Sequence, residues 1–208
     1  MKAVAFDLVD VLFPSPTDPV ALVAKALPGS SHGLDYVRLY RQLQGPLDLS
    51  YGDREHFELL VGNKLGGNAA KFDEFFRLAG AVIEAFEPDP TVRQIFEDLA
   101  AAGVPLYLLS NFPALPFDRL FERHPFLGLA RGCVVSGKLG IAKPDPRIYL
   151  HLLETYELDP MRTLFIDDLR PNVDGAHAVG MPAIHFRGAS ALRVELEALG
   201  LSLPASRR

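Results

Sequence analysis

The chain opens on a short apolar run, KAVAFDL, that meets a carboxylate at Asp7. An apolar run without polar alternation is the pattern of a parallel strand buried on both faces, so Asp7 is expected at a strand's carboxyl end. From about Phe13 to Phe86 the pattern turns helical. Phe72, Phe75, Phe76, Ala79, Ile83 and Phe86 recur three or four apart and form one stripe, which predicts a small helical insertion with the aromatic stripe as its bundle core. Asp89-Pro90 then reads as an N-cap with proline at the first helical position. Val92, Ile95, Phe96 and Leu99 share one face of that helix, and Gly103 ends it.

The rest of the chain alternates. The apolar segments VPLYLLS (ending at Ser110), GCVVS, TLFIDD and MPAIHF are separated by helix-length stretches. One such helix is bracketed by Asp145-Pro146 and carries Ile148, Tyr149, Leu152 and Leu153; another is opened by Pro171 and closed by Gly180. Strands alternating with helices predict an α/β fold, a Rossmann-like parallel sheet flanked by helices, interrupted by the helical insertion. The expected division is a core of residues 1–13 and 87–208 and an insertion of residues 14–86.

Composition narrows the class. With 49% hydrophobic and 23% charged residues among 208, the chain has enough apolar side chain for a sizeable core. A net charge of -5 gives no reason to expect a nucleic-acid backbone or an anionic membrane as partner. The single cysteine, Cys133, cannot form an internal disulfide, so a reducing, cytoplasmic setting is expected. No signal-peptide core fits before Asp7 and no apolar run approaches membrane-spanning length. The pattern leaves monomer and homodimer both open.

In an open parallel sheet, ligands bind beyond the carboxyl ends of the strands. Polar residues cluster at three such ends: Asp7, Ser110-Asn111 and Asp167-Asp168. Adjacent buried carboxylates repel and lose hydration, which a divalent cation relieves. Mg²⁺ suits the position, because it takes a few carboxylates together with waters and phosphate oxygens.

These residues stand in a recognisable order. DLVDV at Asp7 to Val11, LYLLSN at Leu106 to Asn111, AKPDPRIY around Lys143 and FIDDLRPNV around Asp167, Asp168 and Asn172 together resemble the motifs of the haloacid dehalogenase (HAD) superfamily of hydrolases. LSYGDREHF resembles the cap segment of its sugar-phosphatase and epoxide-hydrolase-like branch. The resemblance implies a Mg²⁺-dependent phosphatase acting on a small phosphorylated metabolite, a sugar phosphate being one candidate, through an aspartyl-phosphate on Asp7. It implies that Asp7, the Val9 carbonyl and Asp168 hold the metal, with Asp167 a more distant or water-mediated ligand and Asn172 orienting the loop or a bound water. Ser110 and nearby amides, including that of Asn111, are expected on the phosphoryl group, and Lys143 both on its charge and paired with Asp7.

One position departs from the pattern. Typical phosphatases of this superfamily carry a second aspartate two residues after the nucleophile, as general acid and base; here that position is Val9, and a branch with FDLGG-like or FDLGN-like first motifs, which includes sugar phosphatases, lacks the aspartate too. Such help is worth roughly 100- to 10,000-fold in rate. Either the enzyme is slow, or its leaving group is good, or Asp10 or a cap residue stands in. Asp10 has the alternative role of a loop carboxylate that satisfies backbone amides. Of the six histidines, none falls on a motif; His32 and His56 lie in the cap, within possible reach of substrate. Two other functions fit the same motifs: a metal-independent 2-haloacid dehalogenase, a branch that also lacks the second aspartate, and a non-catalytic binding module that keeps the fold.

Overall fold

The computed structural model describes residues 1–201, 203 and 204; residue 202 and residues 205–208 of the expected core lie outside the described residues. Five strands, β1 (Ala3–Phe6), β2 (Leu106–Ser110), β3 (Gly132–Val135), β4 (Thr163–Asp167) and β5 (Ala183–His185), form one sheet in the order β3-β2-β1-β4-β5. Every pairing is parallel, and β1, β2 and β4 are buried along their whole length, as their unbroken apolar sequences require. The chain runs outward from β1 through β2 to β3 and then returns to the other side of β1. The strand order therefore reverses at β1, and a crevice opens at its carboxyl end.

Six helices follow the insertion: α6 (Pro90–Ala101), α7 (Ala114–Arg123), α8 (Ser136–Leu139), α9 (Pro146–Thr155), α10 (Arg170–Ala178) and α11 (Ala189–Ala198). Their starts follow from capping chemistry. The Asp89 carboxylate accepts the amides of Thr91 and Val92, and that of Asp145 accepts the amide of Arg147. One sheet face packs Val4, Phe6, Leu108 and Ile166 against Ile95, Phe96, Leu192 and Leu196 of α6 and α11. The other packs Ala5, Leu109 and Phe165 against Ile148, Tyr149 and Leu152 of α9 and Ala176 of α10. Helices thus cover both faces of the sheet.

Between β1 and α6 lie α1 (Pro19–Ala26), α2 (Gly33–Gln42), α3 (Gln44–Asp48), α4 (Arg54–Val61) and α5 (Ala69–Glu84). Tyr36, Leu47, Phe57, Val61, Phe72, Phe75 and Leu78 form their own apolar cluster. The aromatic stripe of α5 is divided, which differs from the single bundle core expected. Phe72, Phe75 and Ala79 belong to the cap cluster with Phe76 against it, whereas Ile83 and Phe86 pack into the main core. Periodicity identifies a buried face but not the body that buries it, and α5 is long enough to serve two.

A seam fixes this insertion to the sheet. The carbonyls of Ser50 and Tyr51 accept the amides of Ala114 and Leu115, two of the N-terminal donors of α7 that no intrahelical carbonyl can reach. The Ser136 hydroxyl donates to the carbonyl of Asp48. Glycine is required on both sides of the seam. A Cβ at Gly137 would lie 2.5 Å from Ser50 O and Ala114 N, and Gly52, with φ +78, would place one 2.6 Å from Pro116.

Candidate active site

Asp7 directly follows β1, its amide donating to Ile166 O on the neighbouring strand at 2.9 Å, and it is 6% exposed. Lys143, in the loop before α9, reaches it from across the sheet. Its Nζ lies 2.9 Å from Asp7 Oδ1 and 2.7 Å from Asp167 Oδ2, and donates to Leu109 O at 2.9 Å. An ammonium has three donors, and all three are used. The backbone that carries it is clamped in turn: Asn111 Nδ2 donates to Lys143 O at 3.0 Å, and Lys143 N donates to Asn111 Oδ1 at 2.8 Å.

Asp167, the last residue of β4, is fully buried. Besides Lys143 it accepts the Leu169 amide at 2.8 Å and Asn172 Nδ2 at 3.0 and 3.1 Å. Its oxygens are largely committed to holding Lys143, Asn172 and the turn into α10. Asp168 is half-buried, and His185 Nε2 contacts its backbone carbonyl at 2.9 Å. Asp7, Asp167 and Asp168 each turn a carboxylate oxygen to a common point, all within 4.8 Å of one another.

The electrostatics follow from crowding and burial. Burial pushes the Asp7 carboxyl up to about 7, with Lys143 opposing and Asp167 adding to the rise. Burial and then Asp167 push Asp168 up to about 6, Asp10 contributing a smaller repulsion. Burial disfavours the Lys143 ammonium, but Asp7 and Asp167 outweigh it and hold the amine above its ordinary value. One cation for three carboxylates leaves net negative charge, and hard oxygen donors around a common point fit Mg²⁺. The Ser110 hydroxyl is completely buried and has no hydrogen-bond partner among the described residues. Leaving such a group unpaired costs about 1–3 kcal/mol, and a phosphate oxygen would satisfy it. The residues present fit both groups.

The structure therefore brings Asp7, Ser110, Asn111, Lys143, Asp167, Asp168 and Asn172 together. Asp10, near enough to repel Asp168, adopts the left-handed region at φ 59 and is committed elsewhere. The Asp10 carboxylate accepts the Ser15 amide at 2.8 Å and the Ser15 hydroxyl at 3.0 Å, tying the loop rather than facing the cavity beside Asp7. His56 pairs with Asp53 at 2.7 Å and the His32 ring lies tilted against that of Tyr36; neither lines that cavity. The cavity is walled by Val9, Pro16, Leu22, Val37, Leu78, Val82 and Phe86, with Asp48, Tyr40, Arg41 and Asn111 among its polar members. Asp48 escaped sequence reasoning, although it immediately precedes the LSYGDREHF segment, because a lone aspartate in a helical stretch gives no signal of what it faces.

The sheet reverses order at β1 and gathers an aspartate, a lysine, a hydroxyl and an acidic pair at its carboxyl edge, next to a cavity walled by the insertion. The chain belongs to the haloacid dehalogenase-like hydrolases, whose family pattern matches residues 1–180. It is 31% identical over 139 residues to the sesquiterpene phosphatase astK of Aspergillus oryzae, covering 67% of this chain and 69% of that protein. Its fold is similar to that of a HAD family enzyme of Bacteroides thetaiotaomicron solved in complex with magnesium and inorganic phosphate (TM-score 0.70, 18% identity, 90% of this chain and 94% of that one). A dehalogenase is equally similar in fold (TM-score 0.70, 18% identity, 94% and 97%).

Proposed function

We propose that this hydrolase is a Mg²⁺-dependent phosphatase for a small phosphate monoester with an apolar alcohol, acting through an aspartyl-phosphate on Asp7. The observation that carries the reading is the convergence of Asp7, Asp167 and Asp168 within 4.8 Å. Three carboxylates around one lysine repel a 2-haloacid, itself a carboxylate, and call for a cation that also binds phosphate. Asp7, the Val9 carbonyl and Asp168 would hold the Mg²⁺, with Asp167 behind them; when bound, it neutralises phosphate charge and aligns the phosphorus.

The protein groups have separate tasks. Asp7 attacks phosphorus, giving an acyl phosphate and releasing the alcohol, and water then cleaves that intermediate. Ser110 donates its free hydroxyl to the phosphoryl group. Lys143, its three donors already engaged, acts on Asp7 mainly as a fixed positive charge, and the Asn111 clamp keeps it in place. The apolar cavity walls favour an alkyl or isoprenoid-like alcohol over a sugar, and the likeness to a sesquiterpene phosphatase points the same way. A monomer or homodimer in the cytoplasm, without nucleic acid or membrane as partner, completes the reading. Among the described residues no helix is long and apolar enough to cross a membrane.

The test is phosphate release from octyl phosphate, farnesyl phosphate, glucose 1-phosphate and p-nitrophenyl phosphate, in Mg²⁺ and in chelator, with Asp7→Asn as control. Mg²⁺-dependent release that vanishes in Asp7→Asn is expected, fastest with the apolar esters. Preference for glucose 1-phosphate would replace the substrate class, and residual turnover in Asp7→Asn would remove the covalent step. Halide release from a 2-haloacid in chelator would favour the dehalogenase, and silence with every compound a binding module.

A further inference from the structure

Val9, two residues after Asp7, lines the cavity under the insertion but cannot move a proton. Hydrolysis of an alkyl phosphate needs one, because an alkoxide is a poor leaving group. The groups that line this cavity narrow the choice. Arg41 does not deprotonate in a protein. The phenol of Tyr40 is driven upward, first by burial and then by the charge of Asp48, away from the range of a useful acid. The Asp10 carboxylate is occupied by the amide and hydroxyl of Ser15. Among the described residues that line the cavity, Asp48 is the single carboxylate.

We infer that Asp48, at the carboxyl end of α3 in the cap, is the general acid and base of this enzyme, in place of the aspartate that Val9 replaces. The inference rests on the phosphatase reading. Position supports it independently of charge. The Asp48 carbonyl is held by the Ser136 hydroxyl of the core, and the next carbonyls, of Ser50 and Tyr51, are held by the first amides of α7. Asp48 is therefore seated on the core by the seam itself and does not depend on where the remainder of the cap lies. Precision of this kind is what a proton donor requires.

The charges facing Asp48 are Asp7 and Lys143 from the sheet edge; the Tyr40 phenol of α2 faces it too, and Arg41 of α2 lines the same cavity. Burial first, and the Asp7 charge second, push its carboxyl up to about 8, with Lys143 opposing. A carboxyl raised in this direction is suited to hold the proton that a departing alkoxide needs. In the first step an Asp7 oxygen bonds to phosphorus, the P–O bond to the alcohol breaks, and the departing alkoxide takes the Asp48 proton. In the second, Asp48 carboxylate takes a proton from water as its oxygen bonds to phosphorus, the P–O bond to Asp7 breaks, and inorganic phosphate leaves. Asp48 ends protonated, and the sum is ester plus water to alcohol plus phosphate.

The experiment compares octyl phosphate with p-nitrophenyl phosphate, whose leaving group departs without a proton. It uses the Mg²⁺-loaded wild type and Asp48→Asn, with thermal melting to check folding. In Asp48→Asn, kcat/KM is expected to fall about 100-fold or more on octyl phosphate and to stay within about threefold on p-nitrophenyl phosphate. The kcat falls on both, because the second step is common to them. Equal losses of kcat/KM on both esters, or no loss on octyl phosphate, overturn the role. The wild type gives an arm that needs no variant: kcat/KM for octyl phosphate must decline on the alkaline side while that for p-nitrophenyl phosphate does not, and parallel profiles overturn it. If the wild type hydrolyses neither ester, the phosphatase reading itself falls and the assignment with it.

Discussion

Lys143 shows how much one side chain settles at this site. It is almost wholly buried, and its ammonium lies between Asp7 and Asp167, themselves buried. Lys143→Met keeps the length of the stem but leaves two carboxylates facing each other without a cation. Breaking a buried pair in this way costs about 3–5 kcal/mol, which urea unfolding of the metal-free protein would measure; unchanged stability would mean that solvent or protonation already compensates the pair. Most of these residues were legible in the sequence because strand ends are legible. Asp7, Ser110 and Asp167 each close an apolar run, and Lys143 and Asn172 were found through motif order. Asp48 was not, since it joins Val9 in one cavity wall through tertiary folding and not through spacing along the chain.

Elements were legible where one force dominates. The fully apolar strands and the Asp-Pro helix starts of α6 and α9 could be read directly. The insertion was harder: α5 announced itself by its aromatics, but α1 to α4 are short, and their packing becomes visible only in the cluster around Phe57 and Phe75. The seam was invisible as well, because backbone-to-backbone bonds leave almost no trace in side-chain identity except at glycine. Two glycines make a paired test. At Gly137 an added Cβ meets backbone atoms at 2.5–2.8 Å on three sides, so Gly137→Ala should destabilise by about 1–3 kcal/mol. At Gly80, inside α5, a Cβ meets nothing within 4 Å, so Gly80→Ala should stabilise by about 0.5–1 kcal/mol. Denaturant midpoints of the two variants should move in opposite directions, and a shift in the same direction would refute the steric argument at the seam.

For the whole molecule, the acidic edge of the sheet makes stability depend on pH. Asp48, Asp7 and Asp168 are raised to about 8, 7 and 6 from an ordinary 3.8, so between these limits the folded protein binds more protons than the unfolded chain. Stability of the metal-free protein must then fall as pH rises from about 4 to about 8, with little further loss from these groups above that range. Mg²⁺, by binding the folded form, should raise the melting temperature more at pH 8 than at pH 5. Melting curves at both values, with the metal and with chelator, test this; a metal-free melting temperature that rises with pH would contradict the assignment of these carboxyls. The parallel sheet and its layers follow from the alternation in the sequence, whereas the strand order and this charge balance depend on which strand ends meet.

Helix α5 begins in one hydrophobic cluster and ends in the other, with Phe75 and Ala79 in the cap and Ile83 in the core. Anyone exchanging caps between related enzymes to redirect specificity therefore has to choose where on this helix to splice. A junction after Phe86 would carry Ile83 and Phe86 away with the donor and leave holes in the recipient's interior. A junction at Gly80 leaves Val82, Ile83 and Phe86 with the body they pack against and passes Phe72, Phe75 and Ala79 to the graft. Chimeras joined at Gly80 should fold and acquire the donor's preference, while those joined after Phe86 should be recovered mainly as aggregates.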